Sequence, residues 1–166
     1  MSADLSHRPT GAVRPVDGRR GTVVVTTVAS DSHTWNLVFL QLLVEELGYE
    51  VINLGPCVPD RVLVDVCREV GPDLVAISSV NGHGHQDGQR VIGALRACAE
   101  LAATPVVIGG KLGVAGQQSD AAIDELLTAG FDAVFDDAST ATRAFSRFVG
   151  ALPTGRRSPQ RTEVVA

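Results

Sequence analysis

The strongest constraint on this chain is a rhythm. Five short runs of β-branched and aliphatic residues each lead into a stretch that suits a helix. Thr22 to Val28 is the first run, and the apolar residues of Leu37 to Leu47 suit an amphipathic helix ended by Gly48. Glu50 to Leu54 predicts a second strand. Pro59 stands where a second helix can begin, with Val62, Val66 and Val70 sharing one of its faces. Leu74 to Ser78 predicts a third strand and Gln86 to Ala99 a third helix. Val106 to Ile108 makes a short fourth strand that ends at Gly109-Gly110. Ser119 is placed to cap a helix from Asp120 to Thr128, Ala133 to Phe135 is a fifth strand, and Ser139 would cap a last helix to Val149.

Strands that are apolar throughout belong in a parallel sheet covered on both faces. With right-handed crossovers, the economical arrangement is a flavodoxin-like (Rossmann-like) doubly wound α/β fold, strand order 2-1-3-4-5. Its switch point lies between the first and third strands, where a crevice opens at their carboxyl ends. The loops bordering it are SDSHTWN, Ser30 to Asn36, and SSVNGHGH, Ser78 to His85. These are the two most polar, histidine-bearing loops of the chain.

Residues 1–20 are rich in proline, glycine and charge and read as a disordered leader, 21–150 as the folded domain and 151–166 as a disordered tail. A net charge of -5 argues against a nucleic-acid partner, which would need a basic surface. No apolar run approaches the roughly 18 residues of a membrane span. Arg19-Arg20 has the outline of a twin-arginine export signal. The run behind it is short and β-branched, however, and Asp31 and His33 follow at once, as expected of a core strand. Cys57, Cys67 and Cys98 form no C-x-x-C pair and read as reduced thiols of a cytoplasmic protein rather than a zinc site.

Three loops carry candidate chemistry. In Asp31-Ser32-His33 the acid can orient the imidazole as a metal ligand or catalytic group. The same residues also suit an Asx-turn or helix cap with His33 merely exposed. Ser78 and Ser79 offer hydroxyls at a strand end where a flat ligand can approach. His83 and His85, set beside His33, also raise a three-histidine metal site. Gly109 to Gly116 permits close backbone approach to a large ligand, or a phosphate contact from Lys111, but has neither the P-loop order nor the Rossmann fingerprint. A phosphoacceptor receiver is disfavoured because the third strand ends in Ser78-Ser79 and the fifth in Asp136-Asp137. A flavin site is disfavoured because Trp35 is the only Trp or Tyr near the switch point.

Taken together, D-S-H-T-W-N, S-S-V and G-G resemble the cobalamin-binding signature D-x-H-x-x-G … S-x-L … G-G. From about Thr22 to Val149, including VINLG and the S-S-x-x-G-x-G loop, the chain resembles the free-standing small subunits of glutamate (methylaspartate) mutase. That resemblance implies an isomerase subunit of glutamate metabolism that binds adenosylcobalamin base-off and His-on. His33 would be the cobalt axial ligand, with Asp31 behind it. Ser30, Asp31, Ser32, His33 and Thr34 would meet the corrin underside and the nucleotide tail. Ser78 would bond the buried benzimidazole in the crevice between the first and third strands, with Ser79 and Val80 lining its slot. Gly109, Gly110, Lys111, Leu112, Gly113, Val114 and Ala115 would run beside the tail. The implied partner is a large barrel-type mutase subunit in a heterotetramer, which carries the radical rearrangement while this chain holds the cofactor.

The chain departs from the pattern at Asn36, where the family has glycine, and at Val80, where it has leucine. Asn81, His83 and His85 stand where a Tyr, a Gln and a Glu are expected. Two other readings stay open. One is a corrinoid methyl-transfer or cobalamin-responsive regulatory module, although the twenty residues before the first strand are too few for the helical cap such modules usually carry. The other is a metal-binding scaffold of the same fold.

Overall fold

The computed structural model describes residues 18–113, 120–136 and 139–154. Elements alternate in the expected rhythm: β1 Thr22–Thr27, α1 Trp35–Glu46, β2 Glu50–Asn53, α2 Asp60–Val70, β3 Leu74–Ser79, α3 Gly84–Arg96, β4 Val106–Gly110, α4 Asp120–Ala129, β5 Ala133–Phe135 and α5 Ala141–Gly150. A 3-10 turn, Ala99–Leu101, replaces the end expected for the third helix. All strand pairs are parallel, in the order β2-β1-β3-β4-β5.

Because successive strand residues point to opposite faces, the sheet feeds two cores. Val24, Val75, Ile77, Val106 and Ile108 face α2, α3 and α4 through Leu63, Cys67, Ile92, Leu95 and Leu126. Val23, Val25, Leu74, Ala76 and Val107 face α1 and α5 through Leu37, Val44, Phe145 and Val149. Three helices therefore cover one face and only two the other. Helix α1 packs over β1 and β2, and α5 over β5. The central strand β3 is left between them, and this gap positions the site.

Several expectations are corrected by packing. Helix α1 starts at Trp35 and is not amphipathic, since Trp35, Val38, Phe39 and Leu42 are all exposed. In α2 the buried face is Leu63 and Cys67, with Val62 exposed, because burial follows the helix's contact with the sheet. Helix α3 begins two residues before Gln86, so Gly84 and His85 are helical rather than part of a loop. The cap position of α5 is Thr140 instead of Ser139, and its side chain makes no capping bond.

Strand β4 continues through both glycines. Gly110 has φ +108°, and a Cβ there would run into the carbonyl oxygen of Ser79 on the neighbouring strand. Only glycine fits this approach.

Packing runs slightly past residues 21–150. The Arg20 guanidinium sits 5.2 Å from the centre of the Tyr49 ring and donates to Gly150 O, and Leu152 joins the α1/α5 core. Residues 1–17 and 155–166, with most of the expected leader and tail, and the Ser119 cap lie outside the described residues. No helix among the described residues is long and apolar enough to cross a membrane.

Candidate functional site

Register brings the carboxyl ends of three strands side by side: Thr27 pairs with Ser78, Ser78 with Gly109, and Ser79 with Gly110. The loop leaving β1 then folds back over β3. Asp31 is fully buried at its turn. Its Oδ2 accepts the Val80 N–H at 2.6 Å, across from β3. Its Oδ1 accepts the His33 N–H at 2.9 Å and faces His33 Nδ1 at 2.6 Å. The two sequence readings of this loop therefore coexist: one oxygen closes an Asx-turn and orients the imidazole.

The Asp31 backbone is pinned from beneath. Its carbonyl accepts the Thr27 hydroxyl at 2.8 Å and the Cys57 N–H at 3.0 Å. Cys57 holds that position with φ +56°, uncommon for a residue with a side chain. Burial pushes the Asp31 carboxyl up, but the bonds from the Val80 and His33 amides and the imidazole outweigh it. The net effect holds the group below its ordinary range. His33 itself is 60% exposed. With Nδ1 committed to Asp31, Nε2 has no protein partner among the described residues and is the ring atom left for a ligand.

Beside this pair, the gap on the two-helix face forms a cavity of about 650 Å³, within the size range of small-molecule sites. It is lined by Phe39, Leu40 and Leu43 of α1, Phe145 of α5, Phe135 of β5 and the ends of β3 and β4. Ser78 points into it, as does Asn36, whose Nδ2 donates to Ser78 Oγ at 3.4 Å. The cavity lies over the carboxyl ends of β3 and β4, while the switch point stands where expected, with β1 beside β3.

Residue by residue, the expected set divides. Ser78, Val80, Gly109, Gly110 and Lys111 line the cavity. Ser79 does not: by strand alternation it faces the other core, donating to Asn81 Oδ1 at 3.2 Å. Leu112 is also in that other core, fully buried. Ser32 is exposed, and Thr34 takes the cap position of α1 without a side-chain capping bond. Gly113 is half-buried, and Val114 and Ala115 lie outside the described residues.

His85 turns to α4, its Nε2 2.9 Å from Glu125 Oε2 but off the hydrogen-bonding direction. Among the described residues, no three His, Cys, Asp or Glu side chains gather to hold a metal ion, so the three-histidine arrangement does not form. All three cysteines are free thiols.

A second polar network escaped the sequence reading. The Ser30 hydroxyl donates to Asp87 of α3, and Asn81 Nδ2 donates to Ser30 O and Oγ at 3.1 and 2.9 Å. Arg90 then bridges Asp87 and Asp60, at 2.6 Å to each. Burial raises the Asp87 carboxyl, while Ser30 and Arg90 pull it down, and the net direction is below ordinary. The network ties the His33 loop to α3 and to the start of α2. The i, i+3 spacing of Asp87 and Arg90 was its one visible signal.

A parallel α/β domain with an acid-oriented imidazole at the carboxyl edge, next to an apolar slot floored by a serine, defines a class of cofactor-holding modules. Comparison with known proteins specifies which. Residues 21–146 match the B12 binding domain family. The glutamate mutase sigma subunit of Halobacterium salinarum is 31% identical over 149 residues, covering 87% of this chain and 96% of that protein. The sigma subunit of Escherichia coli O157:H7 is 29% identical over 120 residues, 70% of this chain and 78% of that one. Among solved structures, a cobalamin-binding protein from Desulfitobacterium hafniense superposes with a TM-score of 0.63 at 27% identity. That match covers 79% of this chain and spans 60% of the other. The chain belongs to the B12-binding domain family, among the glutamate mutase sigma subunits.

Proposed function

We propose that this chain is the cobalamin-binding subunit of an adenosylcobalamin-dependent carbon-skeleton mutase acting on glutamate. It would hold the cofactor base-off and His-on for a separate mutase subunit. The observation that carries this reading is the Asp31–His33 pair, set on a buried carboxylate with Nε2 directed away from it, next to the slot over β3 and β4. The residues fit the group. His33 supplies a nitrogen ligand for cobalt, and Asp31 fixes its tautomer by accepting from Nδ1. Ser78 supplies a hydroxyl inside an apolar slot, and the bare backbone of Gly109 and Gly110 admits a bulky ligand at its edge.

When bound, adenosylcobalamin supplies the radical chemistry of the rearrangement. The contribution of this chain is binding and orientation. Asp31 keeps a proton on Nδ1, and the Ser30–Asp87–Arg90 network holds the loop against α3. Trp35, Val38 and Leu42 form an exposed apolar stripe at helical spacing that starts two residues beyond His33. It supports a partner subunit seated against the cofactor side. A match over 96% of a sigma subunit's length favours this reading over a corrinoid methyl-transfer or regulatory module.

The test is visible absorption of the purified chain titrated with cobalamin. The expected result is the base-off, imidazole-ligated spectrum, lost in His33→Ala. A wild-type spectrum identical to that of free cobalamin would overturn the proposal, and an unchanged spectrum in His33→Ala would overturn the ligand assignment. A second measurement, co-purification with the large mutase subunit followed by a glutamate mutase assay with adenosylcobalamin, tests the partner and the substrate.

A further inference from the structure

Asn36 is where the loop departs from the D-x-H-x-x-G pattern, and it is also a side chain that reaches into the slot. It is the second residue of α1, and its Nδ2 lies 3.4 Å from Ser78 Oγ, a long hydrogen bond. A serine hydroxyl has one proton and two lone pairs. Asn36 occupies one lone pair, and among the described residues the Ser78 proton reaches no acceptor. Ser78 is only 4% exposed and lines the slot, so that proton is directed to whatever occupies the slot. The hydroxyl is a buried donor awaiting an acceptor inside the slot, and donation from Asn36 polarises it for that role. Around it the lining is apolar, with Phe39, Leu40, Leu43, Phe135 and Phe145. A flat aromatic group with one acceptor nitrogen fits these neighbours. Glycine at position 36 would leave Ser78 without this help.

We infer that Asn36 is a specificity-determining residue of the slot. It primes Ser78 to donate to a ring nitrogen, and so selects corrinoids whose lower base carries one over corrinoids whose base lacks it. The inference rests on the base-off reading above. It assigns Asn36 a role that neither the signature nor the exposed His33 requires.

The experiment is a cycle of three ligands against three proteins. Wild type, Asn36→Ala and Asn36→Gly are each titrated by visible absorbance with cobalamin, with a cobamide bearing p-cresol as its lower base, and with cobinamide. The p-cresol base is aromatic but has no ring nitrogen, and cobinamide has no base at all. Alanine favours the helix, so that variant separates loss of the amide from loss of helix stability.

Both substitutions are expected to weaken cobalamin binding by roughly 3- to 10-fold, the worth of one modest hydrogen bond. They should leave the p-cresol cobamide and cobinamide within about 2-fold, since the cycle cancels effects common to all three ligands. Equal losses for all three ligands, or no loss for cobalamin, would overturn the inference while leaving cobalamin binding itself intact. If wild type binds none of the three, the functional reading falls, and this inference with it.

Discussion

Asp31→Asn puts the central feature of the site under the most direct strain. The carboxylate is fully buried, with Oδ1 accepting from His33 and Oδ2 from the Val80 amide. An asparagine offers one acceptor oxygen where two are used. If the oxygen stays toward His33, the new NH2 group confronts the Val80 N–H. If the amide flips, it confronts the His33 N–H instead. Either way a buried donor loses its acceptor, at about 1–3 kcal/mol, and the remaining bonds lose their charge assistance. We expect a loss of about 2–4 kcal/mol in unfolding free energy. With a urea slope of about 1.5 kcal/mol/M, the midpoint then falls by roughly 1–3 M.

The pH dependence gives a second reading from the same variant. The folded Asp31 carboxyl titrates below its ordinary value of 3.8. Its stabilisation is therefore complete above that value and is lost as pH falls through the depressed one. Asparagine does not titrate, so the gap between wild type and variant should hold from about pH 7 to pH 5 and narrow below about pH 4. Urea melts followed by circular dichroism across that range measure it. A gap under about 0.5 kcal/mol at neutral pH, or one that widens on acidification, would refute the placement of a buried, ionised carboxylate under His33.

Further outcomes follow from the same geometry. Gly110→Ala, with φ +108° and the Ser79 carbonyl in its way, should cost at least about 2 kcal/mol in urea melts; a neutral change would mean that β3 and β4 are not so close. His33→Ala should change stability by less than about 1 kcal/mol, because the ring is mostly exposed and the Asx-turn survives; a larger loss would make His33 structural. In thiol labelling of the native chain at pH 8, the exposed Cys57 should react readily, whereas Cys67, buried and pushed up to about 12, should react only after denaturation. Rapid native labelling of Cys67 would contradict the α2 packing.

Much of the architecture was legible because its signals are local. β-branched runs such as Thr22 to Thr27 and Leu74 to Ser79 extend wherever they fall, and alternation with helices leaves few topologies for a parallel sheet. The Asp31-Ser32-His33 contact spans two residues, so a turn can form it without help from the rest of the chain. The family resemblance placed Ser78 and Gly109-Gly110 at the right strand ends for the same reason. These positions follow from where strands stop.

What only the tertiary structure decided depends on which helix covers which strand. Helices α1 and α5 cover one face from either side, and the slot between them lies over the ends of β3 and β4. Strand alternation then sends Ser78 into it and Ser79 away. Leu63 and Cys67, not Val62, became the inner face of α2 because the sheet sits on that side. Ser30 meets Asp87 across 57 residues, and Asn36 meets Ser78 across 42. No local pattern encodes pairings at that range, since they arise when packed elements bring polar groups together and burial obliges them to bond. Asn36 looked like a defect in a motif when read along the chain. In the folded domain it is a polar group on the wall of the slot.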